Sequence, residues 1–396
     1  MKLSIKSILL PADKKFNSQE ERTSQETMMI PFVDLNAQYR SIKSEIDGAI
    51  MACIEESNFI KGKAVSDFER SFAEYVGVKY CIGCGNGTDA LEIILTSLNI
   101  GSGDEVLVPA LTWISTAEAV TNVGAEPVFV DVNNKTYNID HTKIEEKISK
   151  KTKAIIPVHL YGCPADMNEI TGIAGKYGIF VVEDCAQAHG AEYSGRKIGT
   201  FGIASAFSFF PSKNLGAYGD GGAVVTNDKN LAELVIKISN HGQLKEKHKH
   251  FMVGRNSRLD SIQSSILNVK LKYLEGWNAK RRHVASLYML RLREKPEFIL
   301  PFSEEDNKHV YHLFVIRCKQ REKLIKLLDE KKIMWGIHYP NALPFTDPYS
   351  YMNHNPEDFM NASNITREII SIPIYPEISD EQINFICDQM MKYNCG

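Results

Sequence analysis

Tryptophan is scarce in this chain, 3 residues of 396, and no sign of charge dominates: 46 Lys and Arg stand against 49 Asp and Glu, for a formal net charge of −3. Without a basic excess the chain is not built to hold nucleic acid or an anionic membrane surface. No apolar run is long enough to span a bilayer. Internal repeats and low-complexity tracts are missing too, which excludes solenoids and fibrous arrays. Cysteine is present but unpatterned, 8 residues scattered along the chain, as expected of reduced thiols in a cytoplasmic protein. The one C-x-x-C, Cys81 and Cys84, has no second pair at zinc spacing. On a strand, a separation of three sends the two side chains to opposite faces, so both read as small core residues. The start, MKLSIKSILL, is a poor signal peptide, because Ser4, Lys6 and Ser7 interrupt its apolar residues. Residues 11–27 are polar and the core pattern begins near Ile30, so 1–29 read as a disordered or over-called N-terminal extension.

What is present is ordinary globular material, 43% hydrophobic and 24% charged, in a chain long enough to bury a large core. Ile42, Ile46, Ile50 and Ile54 recur at four-residue steps and predict an amphipathic helix over 37–57. Short apolar runs then alternate with helical segments. The strands are expected at 79–83, 105–108, 127–131, 154–158, 179–183, 204–209 and 222–226, with helices near 88–98, 114–123, 140–149 and 166–176. Such alternation argues for a parallel sheet covered on both faces. The link 210–221 has no room for a crossover helix, which predicts one antiparallel strand in an otherwise parallel sheet. The expected fold class is α/β, a seven-stranded mostly parallel sheet in a large domain over 30–270. A smaller C-terminal α+β domain follows over 271–396, where 309–317 alternates like a half-buried strand.

Four segments carry possible chemistry. Gly85-Asn86-Gly87-Thr88-Asp89-Ala90-Leu91 lies between a strand and a helix. There, glycines let the backbone approach an anion and the helix start offers free N–H groups; the same residues also suit a tight turn with a capped helix. Thr88 stands where a dinucleotide fingerprint needs its third glycine. Trp113, just after a strand, could lie on a planar ring or belong to the core. Asp184 ends a buried strand, where open α/β sheets place ligands. A carboxylate there can hold a pyridinium proton, ligate magnesium or cap the next helix. Lys213 sits between the apolar strand ending Ser208-Phe209-Phe210 and a turn with Gly216, Gly219, Gly221 and Gly222. Desolvation at such a place lowers a lysine pKa and makes the amine a nucleophile.

Taken in order, GNGTDAL, EDCAQAHG and SFFPSKNLGAYGDGGA resemble the DegT/DnrJ/EryC1/StrS family of sugar aminotransferases. FIKGKAV, GAEPVFVDV, PVHLYGCPADM, VGRNSRLD and SIPIYPE extend the resemblance over about 30–396. It implies an aspartate-aminotransferase-like fold, a homodimer with sites at the subunit interface, and pyridoxal 5'-phosphate as cofactor. Lys213 would hold the cofactor covalently and Asp184 would pair with its ring nitrogen. Gln187 falls near the ring hydroxyl, Trp113 on the ring face, and Gly87, Thr88 and Ser208 at the phosphate. Asn240 would reach the phosphate from the neighbouring subunit. Arg255, Asn256 and Arg258 match a loop near the nucleotide-sugar diphosphate, and His338 a histidine near the sugar pocket. Some relatives carry histidine in place of the lysine and catalyse dehydration; Lys213 puts this chain on the aminotransferase side.

The reaction so implied moves an amino group from L-glutamate to a keto nucleotide-sugar. NSRLDSIQSSIL and HLFVIRC resemble members that aminate carbon 3 of a dTDP-linked sugar. NHGQ followed by VGRNSRLD resembles those using a UDP-linked glucuronate. The segment HYPNALPFTDPY departs from the pattern of many members, which keeps carbon-4 amination open. A catalytically silent relative that binds the cofactor for regulation is the alternative from another class. His241, His248 and His250 read as part of a basic loop facing a pyrophosphate, and no metal site is expected.

Overall fold

A computed structural model describes residues 29–394 except 245, 247 and 303; the expectation for 1–29 falls, but for Met29, outside the described residues. The main sheet is formed by β1 (Tyr80–Cys84), β2 (Glu105–Pro109), β3 (Glu126–Val130), β4 (Thr152–Ile155), β5 (Phe180–Asp184), β8 (Ala204–Ser208) and β9 (Gly222–Thr226). A small hairpin, β6 (Glu192–Tyr193) and β7 (Arg196–Lys197), is inserted before β8. The seven strands run in the order β1-β9-β8-β5-β4-β2-β3, and β9 alone is antiparallel to its neighbours. The short link that predicted this strand leaves β8 at Ser208 and enters β9 at Gly222, and those two residues pair directly. Cys81 and Cys84 are buried in different clusters, on the two faces of β1.

Helices cover both faces. Gly87–Ser97 is capped by Asn86, whose side chain accepts from Asp89 N at 2.8 Å, and it buries Ile93, Ile94 and Leu95 against the sheet. Beyond β9, the helix Lys229–Ser239 leads into a hairpin whose two arms meet at the Asn240–Asn256 bridge and are held by Arg255 N to Ile238 O (2.7 Å), His241 N to Arg255 O (3.0 Å) and Ser257 N to Ser239 O (3.0 Å). A second core gathers Ile30, Tyr288, Phe314, Ile316, Leu324, Ile372 and Ile386 around β10 (Phe314–Arg317) and β11 (Ile369–Ile372).

Three expectations are corrected. The helix over 37–57 is two helices, Leu35–Ser41 and Lys43–Glu55, broken at Ile42, and Ile54 at its end is exposed. The helix over 140–149 is two single 3-10 turns, because the Asp140 carboxylate accepts from Thr142 N and Oγ1 and Lys143 turns away to Asp131 at 3.1 Å. The strand over 309–317 shrinks to β10, buried on both faces: Val315 packs in the main core and Phe314 and Ile316 in the second. Its first half, 309–313, instead meets the turn at Tyr161 and Gly162 through Val310 N to Gly162 O and Leu313 N to Tyr161 O. No described helix is long and apolar enough to cross a membrane.

Candidate active site

The carboxyl ends of β5 and β8 and the loop after β1 meet at one edge of the sheet. Register explains why. Gly222 pairs with Cys84 on one side and Ser208 on the other, so the turn after β1 arrives beside the end of β8. A Cβ on Gly87 would lie 2.7 Å from Ser208 Cβ, and one on Gly222 would lie 2.4 Å from the Asn86 carbonyl. Both glycines are therefore demanded by close approach. Thr88 donates to Ser115 Oγ at 2.8 Å, and Ser208 Oγ sits 3.4 Å from Phe210 N. The space between them is lined by hydroxyls and by the free N–H groups of a helix start, a donor set suited to a phosphate.

Lys213 lies in the β8–β9 link, with its backbone N–H bonded to Phe210 O at 2.8 Å. The residue is half-buried. Its amine is held down to about 8 by burial, against the opposing pull of Asp184. Asp184 is buried, which pushes its carboxyl up, while Ala186 N (3.1 Å) and Thr116 Oγ1 (2.8 Å) donate to it and favour the charged form. Thr112 and Thr116 hydroxyls lie 3.3 Å apart. One strand residue earlier, Glu183 faces the other way. It accepts from Gly199, Phe201 and Gly202 N–H groups, Ser205 Oγ and His159 Nε2, at 2.7 to 3.2 Å. His159 Nδ1 accepts from Ala165 N at 3.0 Å, so its proton is on Nε2. His159, Glu183 and Cys185 form a compact buried group, but these bonds already occupy its histidine and carboxylate, and it ties the end of β5 to its neighbours.

Gln187 is buried and bridges two tyrosines. Its Oε1 accepts from Tyr161 N at 2.7 Å and its Nε2 donates to Tyr339 OH at 2.9 Å. Trp113 is 56% exposed, so it is no core residue; its ring sits 5.4 Å from that of Tyr339 across the cleft. His338 bonds Ser371 Oγ through Nδ1 at 2.8 Å and stacks on Phe32. Burial, reinforced by Lys213, lowers its pKa to about 4, so the ring is neutral. The Tyr161 hydroxyl donates to His338 O.

The hairpin residues divide. Asn240 is buried and its Oδ1 accepts from Arg258 Nη1 at 2.9 Å. Asn256, its bridge partner, is exposed. Arg255 turns toward the subunit's own Gly87–Ser97 helix, pairing with Glu92 and Asp89. His250 is committed to the backbone, with Nδ1 2.7 Å from His241 O. Lys213, Asp184, Gln187, Gly87, Thr88, Ser208, Trp113 and His338 thus border one cleft region. Thr116, Ser115, Tyr161 and Tyr339 join these residues without a motif to mark them: a threonine 68 residues from its carboxylate carries no local signal, and the only sequence signal for Tyr339 is that it adjoins His338.

A family model for the DegT/DnrJ/EryC1/StrS aminotransferase family matches residues 40–391. A dTDP-3-amino-3,6-dideoxy-alpha-D-galactopyranose transaminase of Aneurinibacillus thermoaerophilus is 46% identical, over 92% of this chain and 99% of its own. A UDP-2-acetamido-2-deoxy-3-oxo-D-glucuronate aminotransferase of Pseudomonas aeruginosa is 41% identical, over 91% and 99%. The crystal structure of DesV from S. venezuelae, in complex with a ketimine intermediate, superposes with a TM-score of 0.90 at 38% identity, over 92% of this chain and 98% of that one. With a lysine and a carboxylate at one end of a seven-stranded sheet and matches along nearly its whole described length, the chain belongs to the DegT/DnrJ/EryC1/StrS aminotransferase family.

Proposed function

We propose that this protein is a pyridoxal-phosphate-dependent aminotransferase, acting in the cytoplasm, that moves the amino group of L-glutamate to carbon 3 of a keto hexose linked to dTDP or UDP. The observation that carries this reading is the pairing of Lys213, whose amine burial lowers to about 8, with the buried carboxylate of Asp184, close enough for each to act on the other's charge. When bound, pyridoxal phosphate supplies an aldehyde that takes up the amino group and a ring that withdraws electrons from the substrate carbon. Thr88, Ser208 and the N–H groups after Asn86 would hold its phosphate, and Gly87 and Gly222 leave the room. Asp184 would pair with the ring nitrogen and keep it protonated, and Thr116 Oγ1, donating to that carboxylate at 2.8 Å, orients it. Gln187 would face the ring hydroxyl, and the exposed indole of Trp113 would offer the ring a flat face. Displaced by the incoming amine, Lys213 Nζ would move the proton from the donor's α-carbon on to the cofactor, and in the second half-reaction would carry out the reverse transfer, from the cofactor to the sugar's former keto carbon. Neutral His338 and Tyr339 wall the sugar side.

The keto position rests on the two relatives named for 3-amino and 3-oxo sugars. The test is to supply the protein with the cofactor in its amine form and a panel of dTDP- and UDP-linked 3-keto and 4-keto sugars. A 3-amino product identified by mass and NMR is expected; amination of 4-keto sugars alone would overturn the assignment of carbon 3.

The working unit is a homodimer. Phe59, Ile60, Phe210, Tyr218, Phe251, Met252 and Val253 are among the large apolar residues exposed on the single subunit, and a partner covering them would take that surface out of water. Asn240 and Asn256 bridge one another, Asn240 buried and Asn256 exposed, so Asn256 is the freer of the two to reach a neighbouring phosphate. Co-expressing Lys213→Ala subunits with Asn256→Asp subunits should restore part of the activity, since one site of each mixed dimer holds neither defect. The same experiment with Asn240→Asp shows which asparagine crosses. Confirmed mixed dimers with no recovery from either pair would place both asparagines in their own subunit's site.

A further inference from the structure

Backbone alternation divides the segment Arg255–Arg258 into two faces. Asn256 is exposed, whereas Arg255 and Ser257 turn back onto the first two turns of Gly87–Ser97. Ser257 Oγ donates to Asp89 Oδ2 at 2.5 Å and accepts from Gly85 N at 2.9 Å. Arg255 Nη1 lies 3.4 Å from Asp89 Oδ1 and bonds Glu92 Oε2, whose other oxygen accepts from Asn122 Nδ2 at 2.7 Å. Gly85 is part of the same fitting, since a Cβ there would come within 3.0 Å of Asp89 Oδ2.

The charges make this more than a packing contact. Asp89 occupies the third position of the helix, one residue after Thr88. A carboxylate in a first turn favours the helix itself but opposes a second anion at the same end. Asp89 and Glu92 bring two negative charges to the segment that would cradle a phosphate, and Arg255 is the cation paired with both.

We propose that Arg255 is a positioning residue for cofactor binding: by pairing with Asp89 and Glu92 it offsets their charge at the helix start and keeps the phosphate cup receptive to a dianion. The inference rests on the reading that pyridoxal phosphate binds there. It gives Arg255 a role on its own subunit's cofactor site, apart from the nucleotide-sugar diphosphate that the sequence resemblance suggests for it. It also joins the hairpin to the cup, so that the element offering Asn256 to a neighbour is held by the helix start of its own subunit.

The test compares pyridoxal phosphate with pyridoxal, which lacks the phosphate, in titrations of cofactor-free dimer at low ionic strength. Arg255→Met should weaken pyridoxal phosphate by about tenfold, leave pyridoxal within about twofold, and lose most of its effect in high salt. Glu92→Gln, the opposite change in charge, should tighten pyridoxal phosphate by about threefold without affecting pyridoxal. It decides the matter should Arg255→Met fail to fold. Equal losses for both ligands in Arg255→Met would make Arg255 merely structural and overturn the proposal, as would unchanged affinities. A wild-type protein with no preference for the phosphorylated ligand would overturn the cup itself, and the two failures are thereby told apart.

Discussion

Replacing Lys213 with alanine is expected to lower amino transfer by at least about 10⁴-fold, because one side chain is lost from two roles, covalent attachment and proton transfer. The residue lies within the β8–β9 link, where its backbone N–H, not its amine, secures the turn. The variant should therefore fold and dimerise. Borohydride reduction of the wild type followed by peptide mass analysis should find the cofactor on Lys213. Attachment at any other lysine would overturn the assignment. A pH dependence follows from the burial that holds this amine to about 8 rather than 10.5. Only the neutral amine attacks a carbonyl, so covalent uptake by cofactor-free protein should accelerate as pH rises, with a midpoint near 8. A midpoint near the ordinary lysine value would show an amine in open solvent.

Asp184→Asn should cost roughly 100- to 1,000-fold in kcat while leaving much of the cofactor bound. The amide oxygen can keep the bond from Ala186 N, and the Thr116 hydroxyl can rotate to accept from the new NH₂ group. Packing therefore changes little. What is lost is the negative charge in a buried position, where it acts with little screening. A neutral amide cannot hold the ring-nitrogen proton, so the electron pair left on the substrate carbon has no sink. The loss should appear in the rate of the first half-reaction with glutamate, measured in a single turnover. A near-wild-type rate there would remove Asp184 from the mechanism. A comparable loss in Thr116→Val, which removes one donor to the same carboxylate, would show how much of the effect depends on its orientation.

Much of the site was open to a reader of the sequence, and the reason is locality. Gly85 to Thr88, Asp184 to Gln187 and Ser208 to Lys213 are each a few consecutive residues at a strand end. Strand ends can be found from apolar runs and glycines. The antiparallel β9 was legible from one link, because 210–221 leaves no room for the helix with which a crossover is usually made. The alternation of strands and helices set the α/β class, and the opposite faces of Cys81 and Cys84 follow from the two-residue period of a strand.

Tertiary structure decided what depends on the meeting of distant segments. Thr116 reaches Asp184 only because β2 and β5 carry their ends to the same edge of the sheet. Strand register places Gly222 between Cys84 and Ser208, and so brings Gly87 against Ser208. The 140–149 segment has helical residues, yet the Asp140 side chain and the bond from Lys143 to Asp131 hold it in single turns. β10 looked half-buried because alternation reports one apolar face; it is covered twice because it runs between two cores. Arg255 is the sharpest case. As part of GRNSR it matches a loop near the nucleotide-sugar diphosphate, and only the hairpin's register, set by Asn240 opposite Asn256, turns it onto Asp89 and Glu92 and leaves Asn256 exposed. A side chain's residue type and neighbours are written in the sequence, but the face it presents is set by pairing with a strand that local pattern does not name.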